Sequence, residues 1–298
     1  MADFEFLQNP VSKKWTILSP RRAKRPDAST GLEPVCPFCV GREQNEKEVY
    51  RVGGQEGDNN WQIRVIPNKF PFAPIHEVII HSPDHHKNFG ELPLTQAELI
   101  FKTYRQRFNA HKDKGQVYIF HNRHEGGGES LPHPHSQLAV VPEGIKMDIP
   151  RLAEPDEMPA ATSGQIIQET DHFKIFCPRT SQWPDEVWVA PQERGRAYSE
   201  IKDDEIADLA FVITRLVQIF DLRHGSEFPF NFYIYPGGDW YLRIIPRSKV
   251  LGGFELGTGI FINTQDPKET IEFIKEHFQN PDFEKIKTKH LAEYHRRV

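Results

Sequence analysis

Cysteine and methionine are scarce in this 298-residue chain, three of each, and no run of eighteen or so apolar residues occurs anywhere in it. The second absence excludes a membrane-spanning helix, and the lack of a charged-then-apolar leader argues against secretion, so a cytoplasmic location is expected. An odd, sparse cysteine count excludes a disulfide framework. Neither sign of charge dominates: 37 basic against 42 acidic residues give a net charge of -5 and a pI near 6.3. That balance excludes nucleic acid as a general electrostatic partner, although a local basic pocket remains open to "SPRRAKRPD", residues 19 to 27. With 38% hydrophobic and 27% charged residues, the chain has the composition of a globular protein with one large core or two medium ones, and not of a disordered or fibrous one.

Two of the three cysteines stand together in "CPFC", Cys36 and Cys39. With prolines on both sides and a glycine after, the segment reads as a knuckle and half of a metal site, with a redox pair as the alternative. Two soft ligands call for two more, commonly imidazole, from His85 or His86 in "SPDHH" or from His133. A fully ligated Cys2His2 site leaves no open position, so the zinc it would hold is structural.

His133 belongs to "GGGESLPHPHSQLAVVP", residues 126 to 142. In an extended segment His133, His135 and Gln137 share one face. Glycines and Ser130 beside a histidine can hold phosphate oxygens on backbone N–H groups and a hydroxyl, and neutral imidazole is a good nucleophile toward phosphorus. Gln137 can give an uncharged hydrogen bond to the resulting phosphoramidate. Spacing alone leaves a flexible turn and a metal-binding histidine pair as alternatives.

The chain also repeats itself weakly. Each half reads strand, strand ending in proline, helix, strand, glycine turn, strand ending in proline, with Asp239 and Tyr241 standing where the first half has His133 and His135. The histidines are therefore not demanded by the architecture. Thr95 and Glu98 suggest a capping box for the first helix, and Asp203, Asp204 and Glu205 an acidic start for the second. The expected fold is α+β, two halves each with a mainly antiparallel sheet and a packed helix: 1–144 carrying the metal and histidine motifs, a proline-rich linker at 145–166, and 167–298.

"SLPHPHSQ" resembles the S-N-P-H-P-H-x-Q signature of the galactose-1-phosphate uridylyltransferase family within the histidine-triad superfamily. The resemblance extends over about residues 6 to 277, through "NPVSKKWTILSPRRAKRP", "CPFC", "IPNKFP", "SPDHH", "FHN" and "GGFELGTG" in family order. It implies two histidine-triad-like halves and a nucleotidyltransferase of galactose and carbohydrate metabolism. His135 would be the residue nucleotidylated and Gln137 the partner of that intermediate. Ser130, Gly127 and Gly128 would lie at the phosphates, and Asn68 and Asn122 on the nucleotide side. Zinc would fall to Cys36, Cys39, His85 and His133. Arg22 and Arg25 would meet the sugar phosphate, and Lys249 and Glu255 would lie near the sugar, donated in this family by a second subunit, so a homodimer is expected. The substrates implied are a nucleotide sugar and a sugar 1-phosphate. Inorganic phosphate is the alternative acceptor, in a nucleoside-diphosphate-sugar phosphorylase of ADP-sugar type. A non-catalytic zinc-stabilised nucleotide-binding protein is the alternative from another class.

Three departures stand out. Asp239-Trp240-Tyr241 replaces the His-x-His of a second metal site, so none is expected there. Arg123 and His124 add positive charge beside the glycine turn. Lys69 follows Asn68 where some relatives carry an acidic residue.

Overall fold

The β-branched and aromatic runs of the sequence form strands, as their shape on a pleated surface favours. The computed structural model of the chain describes residues 4–24, 36–152, 165–225, 228–282 and 284. A short hairpin of β1 (Glu5–Gln8) and β2 (Trp15–Leu18) stands apart from one ten-stranded sheet. The first half supplies β3 (Tyr50–Val52), β4 (Ile63–Pro67), β5 (Ile75–Ile80), β6 (Gln116–Arg123) and β7 (His135–Val141). The second supplies β8 (Ile166–Glu169), β9 (Phe173–Phe176), β10 (Val187–Pro191), β11 (Phe230–Ile234) and β12 (Leu242–Pro246). Across the sheet they run β3-β4-β5-β7-β6-β11-β12-β10-β9-β8. Each set of five is thus ordered first, second, third, fifth, fourth, and the two fourth strands meet antiparallel at the seam, with Asn122 opposite Asn231.

Two long helices, α1 (Leu94–His111) and α2 (Asp203–His224), lie on one face of this sheet and pack on each other. Ile100, Phe101, Tyr104 and Phe108 of α1 and Leu209, Val212, Ile213 and Leu216 of α2 are buried there with Ile79, Leu138, Ile119, Val189 and Ile244 of the strands. Fully burying one such side chain contributes roughly 1.5–3 kcal/mol. The acidic start of α2 is as expected, with Glu205 accepting from the Lys202 backbone N–H at 2.7 Å. The capping box at Thr95 and Glu98 does not form. The helix begins earlier, at Leu94, with Pro93 as N-cap and its carbonyl receiving the Gln96 and Ala97 N–H groups at 2.9 and 3.1 Å. Proline's fixed φ and missing N–H suit that place, and Glu98 pairs instead with Lys102 at 3.6 Å. Two shorter helices, α3 (Gly253–Thr258) and α4 (Pro267–Phe278), follow the sheet.

The opposite sheet face is divided. Over the second half it is filled by Trp188, Tyr233 and Tyr241 together with Leu152, and the Tyr241 hydroxyl donates to the Pro150 carbonyl, so the segment entering the linker covers it. Residues 153–164 of the linker lie outside the described residues. Over the first half the same face carries Cys36, Phe38, Trp61, Ile66, Val78 and Ile80, and there it opens into a cavity.

Candidate active site

His135 is the first residue of β7, paired with Ile80 of β5, and His133 precedes the strand rather than heading it. The His135 ring donates from Nδ1 to the His133 carbonyl at 2.8 Å, which puts the proton on Nδ1 and the lone pair on Nε2. Its ring meets the edge of Phe38, 5.3 Å between centroids. Beside it lies a cavity of about 260 Å³ whose wall includes Phe38, Asn68, Phe70, Ser130, His135 and Gln137. Glu46 and Lys69, 3.6 Å apart as an ion pair, stand in the same wall.

The orientation of Gln137 follows from its neighbours. The Phe72 N–H donates to His76 Nδ1 at 3.3 Å, so the neutral ring carries its proton on Nε2 and donates it to Gln137 Oε1 at 2.9 Å. Asn68, whose Oδ1 accepts the Phe70 N–H at 2.9 Å, donates from Nδ2 to the same Oε1 at 3.3 Å. Both bonds fall on the oxygen, and the Gln137 amide therefore presents N–H donors on its other side. Sequence reasoning missed His76. Strand parity could have found it, since it lies two residues before Val78, which pairs with Gln137.

Behind His135, on the helix side, His121 Nδ1 donates to the His135 carbonyl at 2.9 Å and stacks on His81, 5.2 Å away. Burial is the main cause that drives both imidazoles down, His121 to about 3 and His81 well below the ordinary range, so both are neutral.

One donor atom from each of Cys36, Cys39, His85 and His133 lies within 4.8 Å of all the others. Cys39 Sγ is 3.1 Å from His85 Nδ1 and 3.7 Å from His133 Nδ1. His133 Nε2 donates to the Ser82 carbonyl at 2.8 Å, which turns the lone pair of Nδ1 to the sulfurs. Burial, chiefly, lowers the His133 pKa to about 4 and keeps it in the neutral, ligating form. Burial likewise pushes the Cys36 thiol up to about 11, helped by Cys39 beside it, and a cation reverses that by binding the thiolate. Two thiolates and two imidazoles suit a structural metal ion, and the described residues contain no other such cluster.

The remaining expected residues divide. Gly127 and Gly128 form the turn between β6 and β7, Gly128 at φ 83°, and Asn122 reaches that turn from the end of β6, its Nδ2 3.5 Å from the Gly128 carbonyl. Arg22 donates to the Phe70 carbonyl at 2.6 Å and lies over the Phe72 ring, at the back of the cavity wall. Arg25 lies outside the described residues. Lys249 and Glu255 bond each other at 2.6 Å and are not in the wall of the cavity. Arg123 does not present its charge at the turn surface: it is 5% exposed, 3.9 Å from Glu129 and directed to the Pro132 carbonyl. Asp239 pairs through both oxygens with Arg194 and accepts the Gly195 N–H at 3.0 Å.

Residues 74–140, from β5 to the end of β7, match the family model described as galactose-1-phosphate uridyl transferase, N-terminal domain. Across 91% of its length the chain is 27% identical to an ADP-glucose phosphorylase of Arabidopsis thaliana, covering 92% of that relative. Across 91% it is 25% identical to a galactose-1-phosphate uridylyltransferase of Thermotoga maritima, covering 98%. The crystal structure of the Arabidopsis ADP-glucose phosphorylase with bound ADP-glucose matches with a TM-score of 0.70 at 26% identity, over 92% of this chain and 99% of that one. Fold and relatives together define a nucleotidyltransferase. Over nine-tenths of its length the chain is similar to galactose-1-phosphate uridylyltransferase and ADP-glucose phosphorylase, and residues 74–140 carry the family domain of the former.

Proposed function

We propose that this enzyme exchanges a nucleoside monophosphate between a nucleotide sugar and a sugar 1-phosphate through a nucleotidyl-histidine at His135. The Nε2 lone pair attacks the α-phosphorus, a P–N bond forms as the bond to the leaving phosphate breaks, and sugar 1-phosphate departs with the electron pair. An incoming sugar 1-phosphate then attacks the same phosphorus and restores the imidazole. The observation that carries this reading is the His135 tautomer, set by its Nδ1–H bond to the His133 carbonyl. As the α-phosphorus becomes bonded to nitrogen, the cationic ring keeps that bond. The Gln137 N–H donors and the Ser130 hydroxyl meet the nonbridging oxygens, with Asn68 and Asn122 on the nucleotide side and Gly127 and Gly128 toward the phosphates. Arg22 and Arg25 serve the sugar phosphate.

A second reading differs in the acceptor: phosphate discharges the intermediate and an ADP-sugar is the donor. The likeness to the Arabidopsis ADP-glucose phosphorylase, over nine-tenths of both chains, favours it. Incubation with UDP- and ADP-sugars labelled in the α-phosphate separates the two. An acid-labile label on His135 from one donor, discharged by sugar 1-phosphate or by inorganic phosphate, identifies donor and acceptor. Absence of any label in the wild type, or normal turnover by His135→Gly, sinks the covalent mechanism.

The ion suited to Cys36, Cys39, His85 and His133 is zinc, held as a closed structural site in a cytoplasmic enzyme. It fixes the knuckle that carries Phe38 and the residue that precedes β7, and it takes no part in the chemistry. A homodimer accounts for the exposed apolar side chains Val250, Phe254, Leu256, Ile260 and Ile262 around Lys249 and Glu255, which a partner subunit would cover. In that arrangement Lys249 and Glu255 would serve the sugar site of the partner.

A further inference from the structure

The second half of the molecule has no histidine pair, yet one of its side chains reaches into the glycine turn of the first. Asn231 of β11 donates from Nδ2 both to Asn122 Oδ1 at 2.8 Å and to the Gly127 carbonyl at 2.7 Å. Its own Oδ1 accepts from Arg247 at 2.9 Å, and the Arg247 guanidinium lies over the Trp183 ring, 4.8 Å from its centroid. The direction of this chain is not a matter of choice. A guanidinium only donates, so Asn231 must turn its oxygen to Arg247 and its nitrogen to Asn122, and Asn122 in turn must offer its oxygen to Asn231.

The consequence falls at the site. His121 pairs with Ser136, so Asn122 is next in the ladder, opposite His135 and on the same sheet face. With its oxygen committed to Asn231, its amide nitrogen is left with two N–H donors beside the glycine turn, one of them toward the Gly128 carbonyl at 3.5 Å. The turn itself is seated on β11: a Cβ on Gly127 would stand 2.9 Å from the Phe230 carbonyl oxygen and 3.5 Å from Asn231 Nδ2. Only glycine permits that approach. We propose that Arg247 and Asn231 are positioning residues that fix Asn122 as a hydrogen-bond donor to the phosphate oxygens of the nucleotide and hold the glycine turn in place. The proposal rests on the reading of this site as a nucleotide site. It assigns the second half a part in phosphate recognition rather than in support alone.

The test measures equilibrium binding of UDP and ADP, and of uridine and adenosine, to the full chain carrying Asn231→Leu, Asn122→Ala, both, Arg247→Met or Arg247→Lys. Asn231→Leu is neutral and close in shape, and it is expected to weaken diphosphate binding about tenfold or more. Nucleoside binding should stay within about twofold, and the double variant should be no weaker than Asn122→Ala. Arg247→Met should act in the same direction, and Arg247→Lys, which keeps a donor and the charge, should restore much of the loss. The relay is overturned by unchanged diphosphate binding in Asn231→Leu, by equal weakening of nucleoside and diphosphate, or by additivity with Asn122→Ala. Should Asn231→Leu fail to fold, the Arg247→Met and Arg247→Lys pair decides the matter on the same readouts. Wild type that shows this binding pattern but never labels His135 removes the covalent reading and leaves the relay standing. Wild type that binds no nucleotide removes both.

Discussion

His133 and His135 have one residue between them and opposite tautomers. The Ser82 carbonyl takes the proton side of His133 at Nε2, and the His133 carbonyl takes that of His135 at Nδ1. On the reading proposed above, one ring offers Nδ1 to a metal and the other Nε2 to phosphorus, so that a shared residue type and spacing would serve separate tasks. Phe38 touches both rings, 6.0 and 5.3 Å between centroids, and links the knuckle to the cavity. Cys36→Ser should therefore lower zinc affinity at least about tenfold, read by metal analysis of purified protein, and weaken nucleotide binding with it. Zinc content equal to wild type in that variant would remove Cys36 from the ligand set. Cys36, Cys39, His133 and His135 stood out in the sequence because C-x-x-C and H-x-H hold their donors within four residues, whereas spacing left His85 and His86 as alternatives and only the family resemblance pointed to His85. His76 did not stand out, because its part depends on a backbone N–H at Phe72 and on a partner 61 positions away.

Strand and helix add what residues alone do not have. β7 places Gln137 and His135 toward the cavity and Ser136 toward α1, where Ser136, Tyr104, His81 and His121 form a buried polar cluster. The two imidazoles in it are neutral in the folded protein, with His121 lowered to about 3, whereas in the unfolded chain each takes a proton near 6.5. As pH falls below 6.5 the unfolded state gains protons that the folded state refuses, so stability is lost progressively down to about pH 3. The slope is up to about 1.4 kcal/mol per pH unit for each such group. Melting temperatures measured between pH 7 and pH 4 should fall, and His121→Gln should flatten that fall; an unchanged slope in the variant would show that His121 is not its source. The periodicity of α1 and α2 was readable from the apolar residues, but the start of α1 was misread. A T-x-x-E pattern competes there with a proline one position ahead of the helix, and the rigid φ of Pro93 prevails.

At the scale of the whole molecule the two halves share one sheet and one helix-side core, and differ on the opposite face. In the second half Trp188, Tyr233 and Tyr241 fill it beneath Leu152 and Pro150, and in the first it is left open at His135. The same order of strands thus leaves a cavity beside His135 in one half and a covered face in the other. In the homodimer proposed above, a second copy would cover the exposed apolar side chains from Val250 to Ile262. Sedimentation should return about twice the 34.6 kDa of one chain. Leu256→Asp should weaken the assembly about tenfold or more, as removal of a buried apolar anchor does. A wild-type monomer at micromolar concentration would remove the dimer. The sequence by itself determined the inventory: an α+β chain with an internal repeat, the candidate metal ligands, and the candidate nucleophile with its glutamine, read from local spacing, the period of a strand and a family resemblance. Only the tertiary structure decided which way each amide and imidazole points, and that Asn231, bonded to Arg247, reaches the glycine turn while Lys249 and Glu255 stay out of the cavity wall. Those outcomes depend on pairings such as Asn231 with Asn122, 109 positions apart, and no local pattern records a contact made by folding the chain back on itself.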